Sequence, residues 1–216
     1  MFKAKPFYVL ILVLAAAFTL ALAAPQSVTA EPAEIQHTTV NWHPQSGEGQ
    51  VPGASAQLVR NDSGVTFNFH ARELNPGHAY TIWFIAVNDP DACATSPCTG
   101  ADFVLNADAV DADIVYGAGH VVGESGRATF SGHISAGDLS GSWFGNGFSN
   151  PRGSEIYLTL NDHGPLIPEM AEDMIHSYRG GCTDESLPQI FPDTAFADGM
   201  PGPNTCRLYQ VAGFQP

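Results

Sequence analysis

Residues 79–87 read Ala-Tyr-Thr-Ile-Trp-Phe-Ile-Ala-Val. Assigning alternate positions to opposite faces leaves neither face polar enough to meet water. A strand of this kind is central in its sheet and covered on both sides. It constrains the chain more than any other segment, because it demands one packing layer on each face of the sheet. Asn75-Pro76-Gly77 is the turn that launches it. Upstream, Val65, Phe67 and Phe69 alternate with Thr66, Asn68 and His70, the period of two of a strand with one wet face. Further strands are predicted over 54–60, 154–160 and 207–214.

Asp113–Gly123 and Arg127–Ser135 flank Glu124-Ser125 and predict a hairpin. In that register Val115 faces Ile134 and Val121 faces Ala128, with Phe130 on the same side. Tyr116, His120, Thr129 and His133 point to the opposite face. Residues 136–153, rich in Gly, Ser and Asn, predict a long loop carrying Trp143, Phe144 and Phe148. Met170, Met174, Ile175 and Tyr178 at helical spacing predict one short helix over 168–178, stopped by Gly180-Gly181. About seven or eight short strands with turn-rich connections make an all-β chain, an antiparallel sandwich. The short C-terminal helix and the loop holding Trp143 are the candidate covers for the sheet's second face.

Lys3 and Lys5 precede an apolar run from Phe7 to Ala23 that ends in Ala21-Leu22-Ala23-Ala24. A basic start, an apolar stretch and a small-residue site predict a signal peptide over 1–23, with Val28-Thr29-Ala30 as a second cleavage site. Residues 24–53, rich in Pro, Gln, Ser and Gly, predict a flexible N-terminal segment. A single β-sandwich domain is then expected over 54–216. No Cys follows the apolar run to take a lipid, and no later segment is apolar for long enough to span a bilayer. The expected location is secreted or periplasmic, with no stable membrane anchor after cleavage, and cysteines there are oxidised. Cys93, Cys98, Cys182 and Cys206 allow three pairings. Cys93–Cys98 with Cys182–Cys206 is preferred because each closes a local loop, stabilising by roughly 2 and roughly 3.5 kcal/mol on the chain-entropy model.

Both lysines lie in the leader, which removes Schiff-base chemistry. The mature chain holds six Arg against 22 acidic residues, a net charge of −16. Such a surface repels nucleic acid and anionic lipid. G-x-S-x-G, the P-loop and G-x-G-x-x-G are all missing. Asp102, Asn106, Asp108, Asp111 and Asp113 are dense in oxygen but lack the D-x-D-x-D-G pattern of a calcium loop, and predict a solvated acidic loop. Glu172 and Asp173 fall on the wet face of the predicted helix. None of the eight histidines forms H-x-H or H-E-x-x-H. In the predicted hairpin His120 and His133 share a face about 13 Å apart, at about 3.3 Å per residue, and cannot share one ion. A metal site therefore has to recruit from loops: His78, at a strand start, and His163 or His176 around the helix.

Asn75-Pro76-Gly77-His78-Ala79-Tyr80-Thr81-Ile82-Trp83, Asn88-Asp89-Pro90 with Cys93, Gly117-Ala118-Gly119-His120-Val121-Val122-Gly123, Gly126-Arg127-Ala128-Thr129-Phe130 and His163-Gly164-Pro165 resemble an uncharacterised family of secreted bacterial proteins. The likeness covers residues 54 to about 214. More distantly, a turn, a Pro-Gly-His strand and a cysteine loop in that order resemble chordin-type domains and copper/zinc superoxide dismutases. That implies a Greek-key sandwich. The dismutase strand carries His-x-His, whereas here Tyr80 and Ile82 stand at the positions after His78. The chain is thus expected to be a secreted, disulfide-stapled β-sandwich with a structural or binding role toward a ligand or protein of unknown kind, without identifiable catalysis and with no cofactor. The alternative is a copper or zinc protein, or a metalloenzyme, whose site is built from His78, His120 and His163.

Overall fold

The two-sided burial of residues 79–87 organises the architecture. The computed structural model describes residues 31–216; the predicted leader and both cleavage sites lie outside the described residues. Eight strands form one sheet: β1 (Glu34–Trp42), β2 (Gln50–Asn61), β3 (Gly64–Ala71), β4 (His78–Val87), β5 (Ala112–Val121), β6 (Ala128–Ser135), β7 (Glu155–Pro165) and β8 (Arg207–Phe214). Their order is β5-β4-β7-β8-β1-β2-β3-β6, and every neighbouring pair is antiparallel. The all-β antiparallel reading holds, and β4 is an inner strand between β5 and β7. The sheet has two halves, joined where Asn41 pairs with Val211 and Trp42 with Gln210. Tyr80, Ile82, Phe84, Leu158 and Leu160 of one half meet Leu58, Phe67, Phe69 and Phe130 of the other in the inner core.

The two ends of the sheet, β5 and β6, come close to closing it. Phe67 of β3 lies opposite Gly132 of β6. A Cβ on Gly132 would stand 2.7 Å from the Phe67 ring and 2.8 Å from the carbonyl oxygen of Gly117; one on Gly117 would stand 2.9 Å from that ring. Two glycines make room for one phenylalanine where the edges meet, much as an aromatic ring covers a bare glycine across a strand pair.

The expected hairpin over 113–135 is corrected. The turn exists, with Gly126 N–H donating to Gly123 O at 3.1 Å. Its two strands pair elsewhere, β5 with β4 and β6 with β3. Val115 and Ile134 both reach the inner core, but from opposite halves of the sheet. The predicted face of His120 is also corrected. Trp83 pairs with Tyr116 and Ile82 with Ala118, so Gly117 is an extra residue. One bulged residue reverses every side chain beyond it. His120 therefore sits opposite Tyr80, exposed at the rim, with its ring 6.3 Å from that of Phe130.

Two further expectations change. Residues 34–53 are not a flexible segment, because β1 and the start of β2 occupy them. β1 buries only Val40, so its alternation carries almost no apolar signal. The single helix becomes a 3₁₀ turn over Pro168–Met170 leading into α1 (Ala171–His176), and a second helix, α2 (Asp193–Ala197), is added. Both disulfides pair as expected, Cys93–Cys98 and Cys182–Cys206, which fits folding in an oxidising compartment. No helix among the described residues is long and apolar enough to cross a membrane.

Gly132→Ala should destabilise the fold by about 1–3 kcal/mol, the usual cost of overpacking a core. Gly123→Ala, whose added methyl meets nothing within 4 Å, should be close to neutral. Urea unfolding of the two variants checks this; equal stabilities would contradict the close approach of β5 and β6.

Candidate functional site

β7 reads Glu-Ile-Tyr-Leu-Thr-Leu-Asn-Asp-His over its first nine residues. Ile156, Leu158 and Leu160 enter the inner core. Glu155, Thr159, Asn161 and His163 lie on the other face and are buried, with Tyr157 partly so. A stripe whose composition suits water is thus covered. Its neighbours on the same face are Trp83 and Ile85 of β4 and Ile114 of β5, which join Trp143, Tyr178, Leu187 and Leu208 in a second apolar cluster. The cover is a cap made of the Trp143 loop, the residues after α1 and the segment closed by Cys182–Cys206.

The polar stripe holds that cap in place. The two carboxylate oxygens of Glu155 accept the Cys98 N–H at 3.1 and 3.2 Å, and the Tyr157 hydroxyl sits between Glu155 and the Cys98 carbonyl. This fastens the Cys93–Cys98 loop. At the other end His163 is fixed on both sides. The Gly180 carbonyl can only accept, so Nδ1 carries the proton and donates to it at 2.8 Å. Nε2 then accepts from the Thr81 hydroxyl at 2.8 Å, and Thr81 Oγ1 accepts from Trp83 Nε1–H at 3.0 Å. The imidazole is neutral, and burial pushes its pKa down to about 4, against a smaller upward pull from the Gly180 hydrogen bond.

Two carboxylates of the expected acidic loop are buried instead. Asp113 accepts the backbone N–H groups of Ile114, Phe144 and Gly147 at 2.9, 3.1 and 2.7 Å, which pins the loop carrying Trp143. Asp102 accepts from Ala94 N–H, Thr99 N–H and the Thr99 hydroxyl, and these bonds, that from Ala94 foremost, hold its carboxyl below the usual range. Both serve the backbone rather than a cation.

Between sheet and cap lies a cavity of about 320 Å³. Trp83, Ile85, Ile114, Thr159 and Val211 form its floor on the sheet. Phe103 and Val104 line it from the turn after the first disulfide, and Trp143, Tyr178 and Phe191 from the cap. The aromatic rings pack on one another: Trp143–Tyr178 at 4.8 Å between centroids, Trp83–Trp143 and Trp83–Tyr178 both at 5.3 Å, and Trp143–Phe191 at 5.1 Å. His43, Pro44 and Gln45 reach it from the β1–β2 connection, and Ile190, 55% exposed, marks the open side. Among the described residues, no Asp, Glu, Lys or Arg lines the cavity, in a chain of net charge −14. Burial lowers the pKa of His43.

Two lining residues carry buried donors without a partner, Trp143 Nε1–H and the Tyr178 hydroxyl. Their side chains are deep in the fold, Trp143 5% and Tyr178 1% exposed. Leaving such a group unpaired costs about 1–3 kcal/mol.

The histidines expected to share a metal do not form one cluster. His78 donates through Nδ1 to Asp162 at 2.9 Å, a carboxylate that also accepts from the Asn75 amide and the Gly164 N–H. His120 stands at the rim, and His163 is sealed under the cap. Among the described residues, the group of three His, Cys, Asp or Glu ligand atoms within 4.8 Å of one another is His163 with Cys182 and Cys206. Those two sulfurs are bonded to each other, and both nitrogens of His163 are engaged. Cysteine ligates zinc or copper as a thiolate, which a disulfide sulfur is not.

Trp143 and Tyr178 stand out in the sequence as loop and helix aromatics, but their convergence does not. The useful signal is the two-faced β4 segment, which demands a cover, combined with aromatic residues in turn-rich stretches that have no strand to belong to. The Glu155–His163 stripe gives no sign of the cap, because its alternation is the same whether water or a hydrogen-bonding cap lies above it.

His163 makes stability depend on pH. Its folded pKa is depressed below the ordinary 6.5, so the unfolded chain binds the proton first. The contribution is fully present above about pH 6.5 and is lost as pH falls toward about 4, at up to about 1.4 kcal/mol per pH unit. Urea unfolding at about pH 7, 6 and 5 should show the stability gap between wild type and His163→Gln shrinking with acid; a gap independent of pH would contradict a buried neutral imidazole.

No family model, no curated protein and no solved structure matches this chain.

Proposed function

We propose that this chain is a secreted or periplasmic binding protein, not an enzyme, that holds a small, largely apolar molecule between its sheet and its cap. The observation that carries this reading is the aromatic cavity of about 320 Å³, whose lining among the described residues holds no Asp, Glu, Lys or Arg. Ligand sites are concave, mostly apolar and largely preformed. The frame around this one is stiffened on two sides: Cys98 lines it, and Cys182–Cys206 closes the segment that supplies Pro188, Ile190 and Phe191. Carboxylates and imidazoles near it are engaged in holding backbone, which leaves hydrophobic burial as the main source of affinity.

A second reading is a zinc or copper centre. Its support is the proximity of His163, Cys182 and Cys206, and it requires both sulfurs as thiolates. Metal analysis of purified protein before and after treatment with a thiol reductant separates it from the first.

Calorimetric titration with naphthalene should show one site. Val211→Trp, which places an indole on the cavity floor, should weaken that binding at least about tenfold (about 1.4 kcal/mol). Its thermal midpoint should stay within a few degrees of wild type. No binding, or binding unchanged by the variant, would overturn the apolar-ligand reading.

A further inference from the structure

We infer that the cavity orients its ligand: the apolar body lies against Trp83 and Trp143, and a neutral acceptor oxygen points to the β1–β2 connection, where His43 Nε2–H and the Gln45 side-chain amide receive it. The inference rests on the apolar-ligand reading and adds to it the ligand's polar group and the direction in which that group lies.

The floor sets the axis. Thr159 of β7 pairs with Trp83 of β4 on one side and with Val211 of β8 on the other, and Val211 pairs with Asn41 of β1. Neighbouring strands lie about 4.8 Å apart, so the floor runs about 14 Å from Trp83 to β1. His43 follows Asn41 by two residues, and both His43 and Gln45 line the cavity. Trp143 and Tyr178 pack on Trp83 at the far end, whereas Gln45 is exposed. The cavity is aromatic at one end and polar at the other, where water has access.

The polar groups of the lining then fix what the ligand presents. The Tyr157 hydroxyl is committed to Glu155 and Cys98. The unpaired donors of Trp143 and Tyr178 are sealed inside the wall, where a ligand does not meet them. Thr159 is 6% exposed, and its hydroxyl donates or accepts, so it does not choose between ligands. His43 and Gln45 do choose. The Gln45 backbone N–H donates to His43 Nδ1 at 3.3 Å, which leaves the proton of the neutral ring on Nε2. Gln45 Oε1 accepts at 3.0 Å from the N–H of Leu208, itself a lining residue, which leaves the amide NH₂. Both remaining groups can only donate, and among the described residues neither donates to a protein atom. An acceptor fits this end. Its charge follows from the surroundings. Among the described residues no Lys or Arg lines the cavity, burial keeps His43 neutral by lowering its pKa, and a chain of net charge −14 repels an anion. A cation would face N–H donors, with no Asp or Glu in the lining to offset them. A carbonyl or ether oxygen meets the donors without introducing a charge.

The test compares four probes on one ring system by calorimetry: naphthalene, 2-acetonaphthone, 2-naphthoate and (2-naphthyl)trimethylammonium. The ketone should bind at least about threefold tighter than naphthalene, the worth of one modest hydrogen bond, and both ions more weakly than naphthalene. Gln45→Glu keeps the acceptor for the Leu208 N–H and replaces the donor with a carboxylate oxygen. It should abolish the ketone's advantage and strengthen binding of the ammonium probe at least about threefold. His43→Phe keeps a ring without the N–H and should lower the ratio of ketone to naphthalene affinity, a ratio in which altered contact area cancels. Thr159→Val should change both affinities by the same factor, because the oxygen lies at the other end. Equal binding of ketone and naphthalene, a ratio that survives both Gln45→Glu and His43→Phe, a ratio lost in Thr159→Val instead, or preference of the wild type for either ion would overturn the inference while leaving the cavity as an apolar site. If none of the four binds, the apolar-ligand reading itself falls, and the inference with it.

Discussion

A strand with no wet face governs this structure. β4 is buried along almost its whole length, so the sheet cannot be a simple two-layer sandwich with water on its outer side. One face of β4 meets the other half of the sheet in the inner core. The other face needs a cap, and the chain builds it from segments with little regular structure, whose two α-helices are six and five residues long. Helices this short contribute little order by themselves. The cap must therefore be held by covalent links and by hydrogen bonds to buried polar groups.

The fastening points explain the placement of otherwise puzzling residues. β7 runs beneath the cap, and its outward stripe anchors it at both ends, with Glu155 at the Cys93–Cys98 loop and His163 at Gly180 beside Cys182. Asp113 pins the Trp143 loop, and the Thr194 hydroxyl of α2 donates to the Trp143 carbonyl at 2.9 Å. Rings delivered by loops do not interdigitate as side chains of facing strands do. The outer cluster keeps a cavity.

The sequence makes some of this plain and hides the rest for identifiable reasons. The apolar run of β4, the alternation of Val65, Phe67 and Phe69, and the local spacing of the four cysteines are strong signals, and each appears in the structure as read. Phe130 and Ile134 face the core and Thr129 and His133 face water, as alternation predicts. His120 does not follow, because a bulge at Gly117 adds one residue and periodicity carries no marker for it. β1 escapes because a strand that buries only Val40 has no hydrophobic period. Glu155, Asp102 and Asp113 escape because composition assigns acids to water, while backbone N–H groups offered by a folded loop exist only once the loop has formed. The cavity is invisible for the same reason: its walls come from segments far apart in the chain.

The central claim is that the ligand enters between sheet and cap, and the three tryptophans report on it separately. Trp83 and Trp143 line the cavity, whereas Trp42 packs edge-on against Tyr209, 5.2 Å between centroids, beside the inner core. Nitrogen–proton correlation NMR of the indole groups during titration with naphthalene reads all three at once. The predicted result is saturable shifts of the Trp83 and Trp143 signals with Trp42 nearly unmoved. Indole signals that stay fixed, or a Trp42 shift as large as the other two, would contradict the account.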